Sequence, residues 1–169
     1  LGIFYADYFP RAGKRGGAWM SIFREQKGGQ RPLVYNVASF TKPAGDIPSL
    51  LTLDEVETMF HEFGHGLHGL LTKCNYFGTA GTNVARDFVE LPSQIMEHWA
   101  VEPEVLKHYA VHYKTGETIP DSLIQKIQNL STFNQGFNTT ELIAASILDM
   151  KLHEITTDED IDIDAFEKQ

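Results

Sequence analysis

A capped amphipathic helix opening near residue 52 constrains this chain more than any other feature. Thr52-Leu53-Asp54-Glu55 reads as a capping box, in which the threonine side chain and the glutamate satisfy each other's backbone N–H groups. Behind it Val56, Phe60, Phe63, Leu67 and Leu70 recur at helical spacing and form one apolar face. His61, His65 and His68 fall on the opposite side of the wheel. Histidines four residues apart point the same way, so His61 and His65 can reach one metal ion. With Glu62 between them they form His-Glu-x-x-His, in which both histidines bind zinc and the glutamate is a general base. A carboxylate further along, Glu90, would complete a two-His-one-Glu set. Such a set leaves the fourth position open to water, the mark of a catalytic rather than a structural zinc. One zinc ion per chain is therefore expected, held by His61, His65 and Glu90. The competing reading, a solvated helix face that happens to carry histidines, does not account for the coincidence of the motif with a well-capped helix.

Other patterns fare less well. The extended metzincin motif needs glycine and a third histidine where this chain has His68 and Leu71. A thermolysin-like arrangement, with a glutamate from the following helix, fits Glu90. Three ligands from one straight helix rarely suit a tetrahedral ion, so His68 is assigned to packing or to support of a ligand. His108 and His112 share the four-residue spacing but lack an intervening acid and a third ligand, and read as a solvated face. His98 and His153 have no evident partners. Asp87 suits a helix start, where acids are favoured by the macrodipole. Glu97, two turns beyond Glu90, is placed to orient a ligating histidine. Gly64, lying between the two histidines, implies close approach of another chain segment. Cys74 is the single cysteine, so no internal disulfide forms, and it reads as a small half-buried side chain.

The 169 residues suffice for one domain with a core, and 42% hydrophobic with 22% charged residues fits a globular protein. No apolar run is long enough to span a membrane. The net charge is −9, with six acids against one lysine between Thr157 and Gln169. No basic stripe offers itself to nucleic acid. Both ends of the chain read as interruptions of a longer polypeptide. Leu1-Gly2-Ile3-Phe4-Tyr5 has no initiator Met and no basic n-region, so it is not a signal peptide; a cytoplasmic location is expected. Strands are expected over 1–9, Ala18–Phe23 and Leu33–Ala38, separated by glycine-rich turns and forming a small antiparallel sheet. After the first helix, Gly78–Asn83 is a flexible connection. A second helix carries Glu90, Gln94 and Glu97, with Pro92 requiring Glu90 in the first turn or a kink. Further helices are expected from Pro103 to Lys114, from Pro120 to Leu130, and from a second capping box, Asn138-Thr139-Thr140-Glu141, to Ile155. The fold class is mainly α with a small antiparallel sheet near the N-terminus. The domain reading is one partial catalytic domain over 1–169: a sheet region over 1–40, a helical zinc-binding region over 52–155 and an acidic tail over 156–169.

His61-Glu62-Phe63-Gly64-His65-Gly66-Leu67-His68, with Arg86-Asp87-Phe88-Val89-Glu90-Leu91-Pro92-Ser93-Gln94 and Glu97-His98-Trp99, resembles the thimet oligopeptidase family of zinc metallopeptidases. Phe4–Phe9, Gly16–Ser21 and Arg31–Val37 look most like its bacterial dipeptidyl carboxypeptidase branch. The resemblance implies zinc on His61, His65 and Glu90, with Glu62 as the base. It implies a largely helical, two-lobed enzyme whose deep channel admits short peptides. It further implies release of C-terminal dipeptides, with an endo-acting oligopeptidase or a zinc-binding but catalytically incomplete fragment as the alternatives. Family members are several times longer, so N- and C-terminal portions of the parent lie outside this chain. Among them is the segment whose Tyr and His stabilise the tetrahedral intermediate.

Overall fold

The computed structural model describes residues 2–157 and 160–168. The chain falls into two compact units, Leu1–Ile124 and Gln125–Gln169. The first holds strands β1 (Ile3–Asp7), β2 (Trp19–Arg24) and β3 (Leu33–Val37), then helices α1 (Leu53–Leu71), α2 (Leu91–Val101) and α3 (Pro103–Tyr109). Helix α4 (Asp121–Leu130) begins at the end of this unit, and α5 (Gln135–His153) and α6 (Ile163–Phe166) belong to the second. Among the described residues no helix is long and apolar enough to cross a membrane.

The fold is mainly α with a small sheet, as expected, but the sheet is mixed rather than antiparallel. Its order is β1-β3-β2. β2 and β3 are joined by the Lys27–Gln30 turn and pair antiparallel, from Trp19↔Val37 to Arg24↔Leu33. β1 takes the other edge of β3 and runs parallel to it, from Ile3↔Leu33 to Asp7↔Val37. Alternation of side chains tells which face a residue occupies but not which neighbour the strand chooses or in which direction. The 8–18 segment therefore had room to carry the chain past β3 before β2 begins. Lys14 fixes that segment: its ammonium, almost fully buried, donates to the Asp7 and Phe9 carbonyls and to the Asp7 carboxylate.

α1 opens as its sequence requires. Thr52 accepts from the Glu55 N–H, and the Glu55 carboxylate returns to Thr52 N–H and also to Thr41. The helix is most deeply buried on a different side from the one its apolar residues mark. Glu62, Gly64, His65, Gly66 and Gly69 are buried, while Val56, Phe60, Phe63, Leu67 and Leu70 are only half-buried. The glycines cause this. At Gly69 a Cβ would lie 2.9 Å from Met20 and 3.1 Å from Val34, so the sheet seats directly on the helix backbone. At Gly64 a Cβ would lie 2.6 Å from the Ser93 Cα and 2.7 Å from the Pro92 carbonyl, so α2 seats there. The close approach expected at Gly64 is made by the first turn of α2.

Two helices differ from expectation. α3 stops at Tyr109 instead of continuing to Lys114, because Val111 bridges Thr118 and the intervening residues form a turn. His108 and His112 therefore do not share a helix face, and His112 Nδ1 instead accepts from the Thr115 N–H. α5 begins at Gln135, with Asn134 in the left-handed region at φ 56°. Asn138–Glu141 lie inside it, and the Thr140 hydroxyl donates to the Gly136 carbonyl. A capping-box pattern marks a start only where the residues before it leave the helix. Asp158, Glu159 and Gln169 of the acidic tail, and Leu1 before the first strand, lie outside the described residues.

Candidate metal centre

Three ligand atoms converge between α1 and the start of α2. Nitrogens of His61 and His65 and a carboxylate oxygen of Glu90 lie within 4.8 Å of one another. Both histidines are one turn apart on α1. Glu90 is the N-cap residue of α2, with Pro92 just inside the helix, so the proline falls where its missing N–H is harmless. Glu90 Oε2 is 3.0 Å from His65 Nε2 and 3.3 Å from His61 Nε2. Ligand atoms on a tetrahedral shell with bonds of about 2.0–2.2 Å lie about 3.3–3.5 Å apart. The two Glu90–histidine distances lie close to that spacing.

Neighbouring groups hold each candidate ligand. His61 Nδ1 is 2.5 Å from Glu97 Oε1, one face of α2 thus supplying both Glu90 and the carboxylate that orients His61. Ser93 donates to Glu90 Oε2 at 2.8 Å, and this hydrogen bond leads the causes that hold the Glu90 carboxyl below its ordinary pKa, with the two histidines adding to it. Burial lowers the His65 pKa, against the opposing pull of Glu90, so the imidazole is neutral at pH 7 and offers a lone pair. Glu62 is buried beside them but is not part of the converging set. Burial raises its carboxyl pKa; His61 and the Met20 N–H oppose the shift, and Glu90 adds to it. It is thus a carboxylate whose basicity exceeds that of a free glutamate.

A cavity of about 430 Å³ opens on this centre, lined by Ala18, Asp54, Glu57, Thr58, His61, Glu62 and Glu97. The Glu57 pKa is raised by burial and by the nearby Asp54 and Glu97. Sequence reasoning had not placed Ala18, Asp54, Glu57, Thr58 or Ser93 at the site. Helical spacing from His61 back to Thr58, Glu57 and Asp54, and the three-residue step from Glu90 to Ser93, were the available signals. Ala18, at the entry to β2, had none. His68 stays out of the ligand set, packing edge-on against Phe88, and Asp87 is likewise outside it. Cys74 is half-buried with its Sγ 3.1 Å from the Thr79 carbonyl.

Residues 1–168 match the model of Peptidase family M3. The chain belongs to that family. It is 49% identical over 170 residues to the dipeptidyl carboxypeptidase of Escherichia coli K12, covering 99% of this chain and 25% of that protein. It is 41% identical over 158 residues to oligopeptidase A of the same organism, covering 90% of this chain and 23% of the relative. An Arabidopsis thaliana relative, the organellar oligopeptidase A, is 44% identical over 164 residues, with coverages of 90% and 21%. The chain thus spans about a quarter of the length of the curated relatives it matches. The match to a peptidase family and the clustered His-His-Glu set, which could hold a metal ion, thus fall in the same segment.

Proposed function

We propose that this chain is the zinc-binding part of a peptidase that removes C-terminal dipeptides from short peptides. The observation that carries the reading is the convergence of His61, His65 and Glu90 beside a buried, proton-avid Glu62. The three residues would hold one zinc ion, which when bound polarises a carbonyl and acidifies a water. Glu62 takes a proton from the attacking water and returns it to the leaving amine, a contribution of about 10²–10⁴-fold. His65, neutral, gives its Nε2 lone pair to the ligand set, and Glu97 fixes the ring plane of His61. The cavity over His61 and Glu62 receives the peptide. Residues 1–169 are read as part of one catalytic domain working in the cytoplasm, with further lobes of the parent forming the rest of the channel.

Dipeptide release is favoured over endo-cleavage by the higher identity to the dipeptidyl carboxypeptidase than to oligopeptidase A. The test uses the parent protein and matched short peptides with free and amidated C-termini, with products identified by mass spectrometry. Dipeptides released only from free C-termini, abolished by chelation and restored by zinc, are expected. Equal cleavage of amidated peptides at internal bonds would show an endo-acting enzyme. Turnover that survives in a zinc-free His65→Ala variant would refute the metal-dependent reading altogether.

A further inference from the structure

The two histidines of the candidate centre are held unequally, and the difference points to a residue on the central strand. His61 has Glu97 on its Nδ1. His65 Nδ1 is buried and has no hydrogen-bond partner among the described residues. When Nε2 gives its lone pair to the metal, the ring carries its proton on Nδ1, and among the described residues that N–H donor has no acceptor. Ligating histidines almost always donate that second N–H. On β3, Asn36 is 1% exposed, and neither its Oδ1 nor its Nδ2 has a partner among the described residues. Its amide faces α1 at the residue following His65: Oδ1 lies 3.6 Å from where a Cβ on Gly66 would be. A buried amide left unpaired destabilises a fold, whereas an apolar side chain of the same size would not. β3 keeps an amide here although its neighbour on the same face of the strand, Val34, is apolar.

We propose that Asn36 is a positioning residue for His65, its amide holding one buried water against Nδ1–H of that ring. The Asn36 oxygen, the Asn36 amino group and the His65 donor supply three polar partners, the number such a water ordinarily has. The glycine at 66 keeps the space between strand and helix free of a side chain. Asn36 thereby does for His65 what Glu97 does for His61, from the sheet side instead of from α2. The inference rests on His65 being a ligand through Nε2.

The experiment compares Asn36→Leu and Asn36→Ser with the unaltered full chain by two measurements: the melting temperature of the metal-free protein, and the zinc dissociation constant from competition with a chromophoric chelator. Asn36→Leu is expected to melt at or above the unaltered metal-free protein while its zinc affinity falls about 10–100-fold, the usual effect of removing a ligand's hydrogen-bond partner. Asn36→Ser, which keeps an oxygen for the water, should recover most of that affinity. Unchanged zinc affinity in Asn36→Leu overturns the proposal. So does a loss that Asn36→Ser shares in full together with a lowered metal-free melting temperature, since that marks a packing role. His65→Ala tests the premise separately: if that variant binds zinc as before, the ligand assignment fails, not the reading of Asn36 alone.

Discussion

Substituting Gly64 by alanine should separate the two halves of the candidate centre. The new Cβ would meet the Ser93 Cα at 2.6 Å, the Pro92 carbonyl oxygen at 2.7 Å and the Ser93 nitrogen at 3.0 Å. Non-bonded carbon atoms rest at about 3.5–4.0 Å. Helix α2 must therefore withdraw by roughly 1 Å, and no flexible side chain can yield in its place, because all three atoms are backbone. Overpacking of this kind costs about 1–3 kcal/mol, and backbone neighbours argue for the upper end. Replacing glycine inside a helix returns about 1 kcal/mol. The expected net loss is about 2 kcal/mol, a fall in melting temperature of about 4–8 °C for a chain of this size. The withdrawal also carries the N-cap residue Glu90 away from His61 and His65, so zinc affinity should drop about 10-fold or more. Gly136→Ala is the control: among the described residues nothing lies within 4 Å of its Cβ, so that variant should be slightly stabilised with zinc binding unchanged. Thermal melts and chelator competition on both variants decide the matter. A Gly64→Ala protein that melts and binds zinc like the original would refute the argument that glycine sets the α1–α2 spacing.

Glu97→Ala should weaken zinc binding by about 10–100-fold and Glu97→Gln by less, because the amide still offers an acceptor to His61 Nδ1; chelator competition ranks the three proteins. The active form of Glu62 is the carboxylate, and its pKa is raised, so kcat/KM of the parent should fall on acidification at a pH above the ordinary glutamate range. A pH profile with zinc content measured at each point checks this. The same shift means that the folded chain loses stability as pH rises from the ordinary glutamate value through the raised one. Glu62→Gln should therefore melt higher at pH 7, retain zinc and lose most turnover. No residue of α5 is buried, whereas α1 buries five, so amide hydrogen exchange should be markedly faster across Gln135–His153 than across Leu53–Leu71; equal protection would contradict the burial pattern.

What the sequence determined by itself was local. Thr52 and Glu55 define a helix start through bonds that span three residues, and the four-residue step from His61 to His65 places two imidazoles on one side of that helix wherever it packs. Pro92 left two choices for Glu90, a first turn or a kinked helix, and Gly64 announced a neighbour. The tertiary structure decided everything that depends on which distant segment arrives. β1 pairs parallel with β3 because the 8–18 segment takes the chain past that strand, a choice that no period-two pattern encodes. The second capping-box pattern lies inside α5, because Gln135–Phe137 continue the helix upstream of it. The apolar stripe of α1 named one face as buried, yet the glycines let the sheet and α2 close on another, since backbone-to-backbone seating depends on side chains that are absent rather than present. Asn36 shows the same limit from the opposite side. Nothing in Leu33-Val34-Tyr35-Asn36-Val37 sets its amide apart until the strand is laid beneath Gly66 and the buried amide is left without a partner.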